Sequence, residues 1–570
     1  MPQEYIFSNL QEITAEQDAI SPEYAYGKWR VAEYQAGTVS GNMLLAPETE
    51  LPDPVTLNLN LTGTYRIYLC FPKLRSQNYF YAKLSDDLCF TGIKATDRRP
   101  IEWCEESYFE EVYWKTADLT GQSFILGRPE SHFTSVAGLA WIRCVPASNS
   151  ELENTITNKC LQTHIDEDAL TEDTFYCDDD YLIRLYPMKN TNTEIVSFEV
   201  SFDYDKCPDL DAPRLHRHDI RWDRGQYAFD SKKEIVYKKA VDFAHANGME
   251  LFATNRMEVA NFCMPYTRRS WDFQFVKDHP EFYCRNRNGS TVKVCSFAYE
   301  QVQDYVINNF VDLIQYGFDG ISLIYHRGTF LGFEQPVIDR FKALYPSIDP
   351  CTLPFADERL HGVWCSFMNE FMAKLRSALD AHSDRHIKIN VITDYGLATD
   401  KHIGLDVAHW AKNGWIDIAS QADMEVWENL EGCMQDDDPT LIDLEKYNRI
   451  LTQRPIVTRN FSTNVEKVCK HIPEYRQLKT LYGTEVYHVI PWVGTIAPEE
   501  YDAAIEKMTA AGAEKFLSWN ANHAVRDPHE WYVISHIGNT KDDSFPKRNF
   551  YRVLSMDGYD VSQFNPNWRG

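Results

Sequence analysis

The sequence lacks the patterns that mark several protein classes. Its fourteen cysteines stand singly, with no CxxC pair, so free thiols in a reducing compartment are expected rather than a zinc cluster or a disulfide framework. No run approaches the roughly 18 apolar residues that a membrane-spanning helix needs. The first residues are acidic and include neither a basic leader nor an apolar stretch, which predicts a cytoplasmic protein.

Positive charge is also scarce. The chain has 57 Lys and Arg against 84 Asp and Glu, a formal net charge of −27. Nucleic acids and anionic membranes are bound through Lys and Arg, so neither is expected as a partner. A neutral or cationic small molecule is not excluded. Aromatic residues make up 14% of the chain, and sugar-binding clefts use their flat faces.

Three catalytic motifs are absent. The sequence contains no GxSxG elbow of serine hydrolases, no HExxH of zinc proteases and no glycine-rich phosphate loop. His216, His218 and Asp219 suggest a metal site, but an HxH pair alone is a weak signal, and no third ligand at a diagnostic spacing accompanies it. We therefore predict neither a metal nor another cofactor.

The first 150 residues consist of short strand-like runs separated by turns. TLNLNL at residues 56–61 alternates with a period of two, and YRIYL at 65–69 and LAWIRCV at 139–145 are further strands. This pattern predicts an all-β sandwich of the kind found in carbohydrate-binding domains.

From about residue 190, strand-like runs alternate with helical stretches, which is typical of a parallel sheet with crossover helices. We predict a (β/α)₈ TIM barrel, with a doubly wound open sheet as the alternative. The β-sandwich would occupy residues 1–150, and the barrel with a C-terminal extension residues 151–570. The predicted barrel strands are 195–202, 249–254, 292–297, 319–325, 387–392, 415–419, 485–490 and 515–519, with 455–458 as a ninth candidate.

In such a barrel, the functional groups follow the C-terminal ends of the strands. Carboxylates there suit glycoside hydrolysis, in which one acid protonates the leaving oxygen and a second carboxylate activates water or attacks the sugar. The predicted catalytic residues are Glu258, Asp394, Asp423 and Glu425. Structural alternatives remain: Glu258 could pair with Arg256, Asp394 could cap a turn, and the other two could face solvent.

Further polar and aromatic side chains follow the same strands and would position the sugar. The predicted substrate-binding residues are Arg256, Tyr325, His326, Arg327, Trp427, Trp492, Trp519 and Asn520. A structural histidine at position 326 and core packing of the tryptophans are the alternatives.

The segment GMELFATNRME at residues 248–258 resembles the "GM-x-hydrophobic-A-x-x-RM-acid" strand of glycosyl hydrolases related to glycoside hydrolase family 10. Further segments match that family in order: KDHPEF at 277–282, SFAY at 296–299, YGFDGI at 316–321, GLDV at 404–407 and AAGA at 510–513. The resemblance covers about residues 190–525. It implies a clan-A-like barrel behind an N-terminal β-domain.

One departure from the family concerns its acidic residues. Such proteins tend to read DGIELDF-x-R at the fourth strand, whereas this chain reads DGISLIYHR at 319–327. Ser322 and Ile324 replace the acids, and Arg327 is kept. The seventh strand, YHVIPW at 487–492, lacks the glutamate expected of a clan-A nucleophile. Catalysis would then use the four carboxylates named above.

We therefore expect a glycoside hydrolase acting on an oligosaccharide or glycoside, with a carbohydrate as its partner and a homo-oligomeric assembly. Two alternatives remain open. One is a sugar-binding protein without hydrolytic activity. The other is a sugar-acid lyase or isomerase that uses His326 as base and Arg327 to hold the carboxylate.

Overall fold

The structure is a computed structural model of the chain. It describes residues 3–46, 51–73, 77–94, 108–129, 135–149, 158–166, 176–200, 206–208, 232–257, 271–325, 330–354, 357–393, 396–422, 465–491, 500–538 and 548–557. The chain divides into two units. The first comprises residues 1–159, 168–192 and 521–570, and the second residues 160–167 and 193–520.

Strands and α-helices are numbered along the chain. The strands are β1 (Tyr5–Phe7), β2 (Ile20–Ser21), β3 (Trp29–Ala36), β4 (Val39–Ala46), β5 (Val55–Leu57), β6 (Thr64–Lys73), β7 (Gln77–Leu84), β8 (Thr91–Lys94), β9 (Tyr108–Asp118), β10 (Phe124–Gly127), β11 (Ser135–Leu139), β12 (Trp141–Pro146), β13 (Leu161–Ile165), β14 (Thr193–Glu199), β15 (Lys206–Pro208), β16 (Glu250–Arg256), β17 (Trp271–Phe273), β18 (Tyr283–Arg285), β19 (Thr291–Cys295), β20 (Gly320–Tyr325), β21 (Lys388–Thr393), β22 (Ile418–Gln421), β23 (Glu485–Val489), β24 (Phe516–Ser518) and β25 (Asn549–Met556). The helices are α1 (Leu10–Ile13), α2 (Lys233–Ala246), α3 (Gln274–Asp278), α4 (Glu300–Ile314), α5 (Gln335–Leu344), α6 (Glu358–His382), α7 (Leu397–Asp400), α8 (Val407–Lys412), α9 (Val465–Tyr482), α10 (Tyr501–Ala511), α11 (Ala521–Ala524) and α12 (Pro528–Ser535). Within the described ranges, every helix is too short or too polar to cross a bilayer.

The first unit contains a 13-stranded sheet. Its order is β1-β12-β6-β9-β25-β3-β4-β11-β7-β10-β5, with β2 paired to β3 and β8 paired to β7. Pairing is antiparallel except for β2 with β3 and β11 with β7. The sequence prediction assigned residues 151–570 to the barrel domain with a C-terminal extension; in the structure, β25 near the end of this range lies between β9 and β3 of this sheet. The two-layer sandwich itself stays a prediction.

Both faces of this sheet bury apolar side chains. Ile67, Leu69 and Phe71 of β6 belong to one buried cluster, and Cys70 between them belongs to another. This division follows from the strand geometry, since successive side chains point to opposite faces.

Glu111 of β9 ties the last strand into this sheet. Its carboxylate is fully buried and accepts hydrogen bonds from Trp141 Nε1 at 2.8 Å and Arg143 Nη2 at 2.7 Å. On β25, Asn549 Nδ2 donates to it at 3.0 Å and the Tyr551 hydroxyl at 3.4 Å. A buried charge needs this many donors, because it has lost its hydration.

The second unit is a closed parallel barrel. Its strand order is β13-β14-β16-β20-β21-β22-β23-β24, and β13 pairs with both β14 and β24. Helices α2, α4, α6, α8, α9 and α10 lie between successive strands from β14 to β24. The barrel predicted from the sequence is therefore confirmed, and the open-sheet alternative is excluded.

One predicted barrel strand was wrong and one barrel strand was missed. Residues 292–295 of the predicted third strand, 292–297, lie in β19, which pairs antiparallel with β18 in a separate two-stranded sheet. The barrel instead begins with Leu161–Ile165, all of it buried. The missed strand comes before the wrongly predicted one. The fourth and seventh barrel strands are therefore the same in the prediction and in the structure. The ninth candidate, 455–458, lies outside the described residues.

A ring of hydrogen bonds fills the barrel interior. Gln162 Nε2 donates to Ser197 Oγ at 2.8 Å, and the hydroxyls of Ser197 and Ser322 lie 3.1 Å apart. Asn390 Nδ2 donates to Ser322 Oγ at 3.1 Å, and Ser420 Oγ lies 2.9 Å from Asn390 Oδ1 and 2.8 Å from Gln162 Oε1. These five neutral side chains have no exposed surface. Ser322 thus occupies a place in which an ionised acid would lack solvent.

Candidate active site at the barrel mouth

Six side chains meet where four neighbouring strands end. They lie at or directly after the C-terminal ends of β24, β13, β14 and β16, which are adjacent in the barrel. We call them the mouth cluster: His164, Asp166, Glu199, Arg256, Trp519 and Asn520. Parallel strands bring their C-terminal ends to one edge, and this edge carries the functional groups of TIM barrels.

Arg256 is held between two carboxylates. Its Nε donates to Glu199 Oε1 at 2.7 Å, and its Nη2 lies 3.3 Å from Glu199 Oε2. The same Nη2 donates to Asp166 Oδ2 at 3.0 Å. The planar guanidinium suits such a double contact, which fixes both acids relative to one another.

Glu199 is ionised at neutral pH. Burial alone would raise the pKa of its carboxyl, but the nearby Arg256 charge and the contact with His164 outweigh burial and lower that pKa to about 2. A carboxyl with so low a pKa carries no proton to donate at neutral pH. Within the cluster, Glu199 is therefore an orienting anion rather than a general acid.

His164 packs flat against Trp519. The two rings are stacked with centroids 4.0 Å apart and planes 8° apart. The imidazole Nε2 lies 3.2 Å from Glu199 Oε2, and Nδ1 lies 3.0 Å from Asn520 Oδ1. Asn520 has a left-handed backbone, with φ of +49°, which Asn tolerates better than most residues. One face of Trp519 is thus covered by His164 and is closed to a sugar.

Burial divides the mouth cluster into a floor and an edge. His164 is completely buried and Trp519 is 2% exposed. The side chains of Arg256 and Asp166 are 14% and 16% exposed. Asp166 and Arg256 are therefore more accessible than His164 and Trp519. Gln162 and Ser197 of the interior ring lie two residues before His164 on β13 and Glu199 on β14. The interior ring therefore supports the floor of the cluster.

The structure describes four of the predicted site residues and brings three of them together. Arg256, Trp519 and Asn520 belong to the mouth cluster. Tyr325 does not: its ring lies 5.3 Å from Phe330 and 5.9 Å from Trp410, and its hydroxyl lies 3.5 Å from a methionine sulfur on α6. Tyr325 directly follows Ile324 on β20, so its side chain points to the other face of the strand. This face is turned away from the barrel interior and toward the helices.

The other predicted site residues lie outside the described residues. These are Glu258, His326, Arg327, Asp394, Asp423, Glu425, Trp427 and Trp492, together with His216, His218 and Asp219 of the motif considered for metal binding. Within the described part of the chain, no three His, Cys, Asp or Glu side chains come together as a metal site would require.

Sequence reasoning missed His164, Asp166 and Glu199. The first two were missed with their strand, β13. Glu199 was missed because the predicted strand 195–202 continues past the end of β14 at Glu199, which places this residue inside the predicted strand rather than at its C-terminal end. A sequence signal was present for Glu199, which directly follows the strand-like run IVSF at 195–198, but the polar run LQTHID at 161–166 offered none.

Comparison with known proteins gives structural similarity only. No protein-family model matches the chain, and no curated protein matches its sequence. Among solved structures, the chain is similar to the catalytic domain of a β-amylase from Paenibacillus polymyxa, with 10% identity and a TM-score of 0.40 over 68% of this chain and 100% of that one. It is also similar to the PgaB (BpsB) glycoside hydrolase domain from Bordetella bronchiseptica, with 11% identity and a TM-score of 0.39 over 67% and 99%. A third is the α-galactosidase TtGalA from Thermus thermophilus, with 10% identity and a TM-score of 0.33 over 89% and 94%.

Proposed function

We propose that this chain is a glycoside hydrolase that binds an oligosaccharide or glycoside at the barrel mouth. The observation that carries the proposal is the placement of Arg256 between Glu199 and Asp166, beside the stacked His164 and Trp519. Charged groups that fix one another in this way form a preorganised polar surface, which hydroxyl groups of a sugar can bind without reorganising it.

The exposed edge of the cluster would contact the sugar. Asp166 accepts hydrogen bonds from hydroxyl groups and Arg256 donates them, whereas Glu199 keeps Arg256 in place. Hydrolysis further needs an acid that carries a proton and a base or nucleophile. In this proposal those roles belong to two of the predicted carboxylates Glu258, Asp394, Asp423 and Glu425.

The resemblance to glycosyl hydrolases related to glycoside hydrolase family 10 is part of the same proposal. Where that family tends to have acids on the fourth strand, this chain has Ser322 in the neutral interior ring and Ile324 beside it. Asp166 and Glu199 provide carboxylates on the first two strands instead. We infer that the acidic part of the site is displaced around the barrel toward these strands.

A substrate screen tests the proposal. Wild type, Glu258→Gln, Glu425→Gln and Asp166→Asn are assayed on a panel of aryl glycosides and oligosaccharides. Glu300→Gln, which removes an exposed ion pair with Lys374 on the outside of the barrel, is the matched control. We expect wild type and control to release sugar from at least one substrate and the other variants to be impaired. The absence of activity on every substrate, or equal activity in all variants, would contradict hydrolysis.

The second candidate is a sugar-binding protein without hydrolytic activity. It is favoured by the neutral ring at Ser322, since this strand supplies no acid to the interior. Calorimetry distinguishes the two candidates. Saccharide binding that Asp166→Asn weakens, without turnover of any bound saccharide, would support the second candidate.

A further inference from the structure

The first unit displays two tyrosines on one short loop, residues 22–28, between β2 and β3. Tyr26 is 85% exposed, more than any other large hydrophobic side chain that the structure describes, and Tyr24 is 61% exposed. Single exposed hydrophobic residues are common on protein surfaces. Two exposed aromatic rings on one seven-residue loop point more specifically to a binding site. Each ring has a large area that would be buried if the side chain folded inward.

Backbone pairing and hydrogen bonds hold both ends of the loop and the turn within it. Its ends are held by the pairing of Ile20 with Trp29, whose buried indole donates from Nε1 to a backbone carbonyl at 2.9 Å. The Lys28 amide donates to the Ala25 carbonyl at 3.2 Å, closing a β-turn with Tyr26 and glycine at its centre. That glycine has φ of +69°, as the third position of a type II turn requires. Tyr26 therefore stands at a rigid corner, which lowers the entropy cost of binding through its ring.

We propose that Tyr24 and Tyr26 form a binding site for a polysaccharide, in which the rings stack on the C–H faces of pyranose units. A flat aromatic face buries the apolar side of a sugar, while its hydroxyl groups bind polar neighbours. Glu23 and Lys28 flank the two tyrosines in the same loop and supply an acceptor and a donor. This site belongs to the first unit, whereas the mouth cluster belongs to the second, so it goes beyond the proposed hydrolysis.

Other occupants fit these tyrosines less well. Two side chains offer far less area than the roughly 1,200 Å² of total surface that a stable protein interface buries. An anionic membrane would repel a protein whose net charge is −27. A sugar needs only the area of one or two rings.

Retention by insoluble polysaccharides tests the inference. Wild type, Tyr24→Ala, Tyr26→Ala, the double variant and Tyr26→Phe are mixed with cellulose, chitin, β-1,3-glucan and starch granules, and the bound fraction is measured. Tyr482→Ala, which removes a 40% exposed tyrosine at the end of α9, is the matched control. We expect wild type, Tyr26→Phe and the control to bind at least one polysaccharide. Tyr26→Ala should weaken that binding about tenfold, the effect of losing about 1.4 kcal/mol of stacking.

Three results would overturn the inference. They are no retention of wild type by any of the four polysaccharides, unchanged retention of the double variant, and self-association in light scattering that the double variant abolishes. Hydrolysis of short aryl glycosides is measured in parallel on the same variants. Its absence would count against the proposed function alone, whereas its persistence in the double variant would show that the barrel is intact.

Discussion

Arg256 and Glu199 form the central ion pair of the mouth cluster, with Arg256 Nε 2.7 Å from Glu199 Oε1. Both side chains are largely buried, so each charge depends on the other for the interactions that water would provide. The pair links the ends of β14 and β16 and holds the exposed edge of the cluster in place. Several consequences of this arrangement can be measured.

Replacing one partner of this ion pair should destabilise the protein more than replacing both. Arg256→Met leaves Glu199 buried without its main counter-charge, and we expect it to lower the free energy of unfolding by about 3–5 kcal/mol. In the double variant with Glu199→Gln, part of that loss should be recovered, since no buried charge remains. Urea denaturation of the four proteins forms a double-mutant cycle. Additive losses would contradict the pairing.

The acid stability of the protein should depend on Glu199. Its pKa of about 2 lies below the ordinary value of 4.5, so its contribution is present above pH 4.5 and is lost as the pH falls toward 2. Glu199→Gln cannot titrate. We therefore expect the difference in melting temperature between wild type and this variant to shrink between pH 5 and pH 2. A difference that is constant over this range would show that the carboxylate is not selectively stabilised.

Glu334 should have the opposite dependence on pH. This residue after β20 is completely buried, and one of its oxygens accepts from the Gly332 amide at 2.9 Å. Burial raises the pKa of its carboxyl, although contacts with the Cys284 and Ser296 side chains oppose the rise. Its contribution to stability is therefore present below pH 4.5 and is lost as the pH rises through the raised pKa.

Replacement of Glu334 by Gln removes this titration. We expect the melting temperature of Glu334→Gln, relative to wild type, to increase from pH 4 to pH 8. Glu370→Gln, which alters a carboxylate that is 52% exposed, serves as control and should show no such trend. A relative melting temperature that falls with increasing pH would contradict a raised pKa at position 334.

Glu111 should control the attachment of the last strand. Glu111→Gln removes a buried charge that binds Arg143 on β12 and Asn549 on β25, and we expect a loss of about 3 kcal/mol or more. Amides of β25 should also exchange faster with deuterium. The matched control is Glu4→Gln, because Glu4 contacts the same arginine from a position that is 50% exposed. It should cost less than about 1 kcal/mol. Equal effects of the two variants would contradict this assignment.

The interior ring should not tolerate an acid at position 322. Ser322→Glu places a carboxylate and extra volume among neutral side chains without solvent, and we expect insoluble or strongly destabilised protein. Ser322→Ala should fold but lose about 1–3 kcal/mol, because Ser197 and Asn390 lose a partner. Thermal melting checks both. A Ser322→Glu variant that melts like wild type would contradict the account of this strand.

The helix ends and most barrel strands could be predicted from local sequence. Gly248, with φ of +63°, follows the end of α2, and Gly512, with φ of +108°, follows the end of α10, because glycine tolerates the left-handed turn that ends a helix. Apolar runs such as 319–325 and 387–392 identify buried parallel strands by composition alone. These signals were sufficient for the barrel topology.

The strand β13 and the groups around Glu199 could not be predicted in the same way. The sequence LQTHI carries Gln162, Thr163 and His164, which reads as an exposed segment. These polar side chains are buried because partners from distant strands satisfy them, such as Ser420 for Gln162 and Asn520 for His164. Such long-range hydrogen bonds have no signature within the segment. The same applies to Tyr325, whose direction depends on which side of β20 faces the barrel interior.

A crystal structure of the protein soaked with a monosaccharide or a short oligosaccharide would show where the sugar binds. We expect a sugar ring at the barrel mouth, with hydroxyl groups within hydrogen-bonding distance of the Asp166 carboxylate and the Arg256 guanidinium. We also expect that the Glu199 contact to Arg256 and the stacking of His164 on Trp519 remain unchanged. A sugar bound elsewhere in the second unit, with neither Asp166 nor Arg256 in contact with it, would contradict the proposed binding at the barrel mouth.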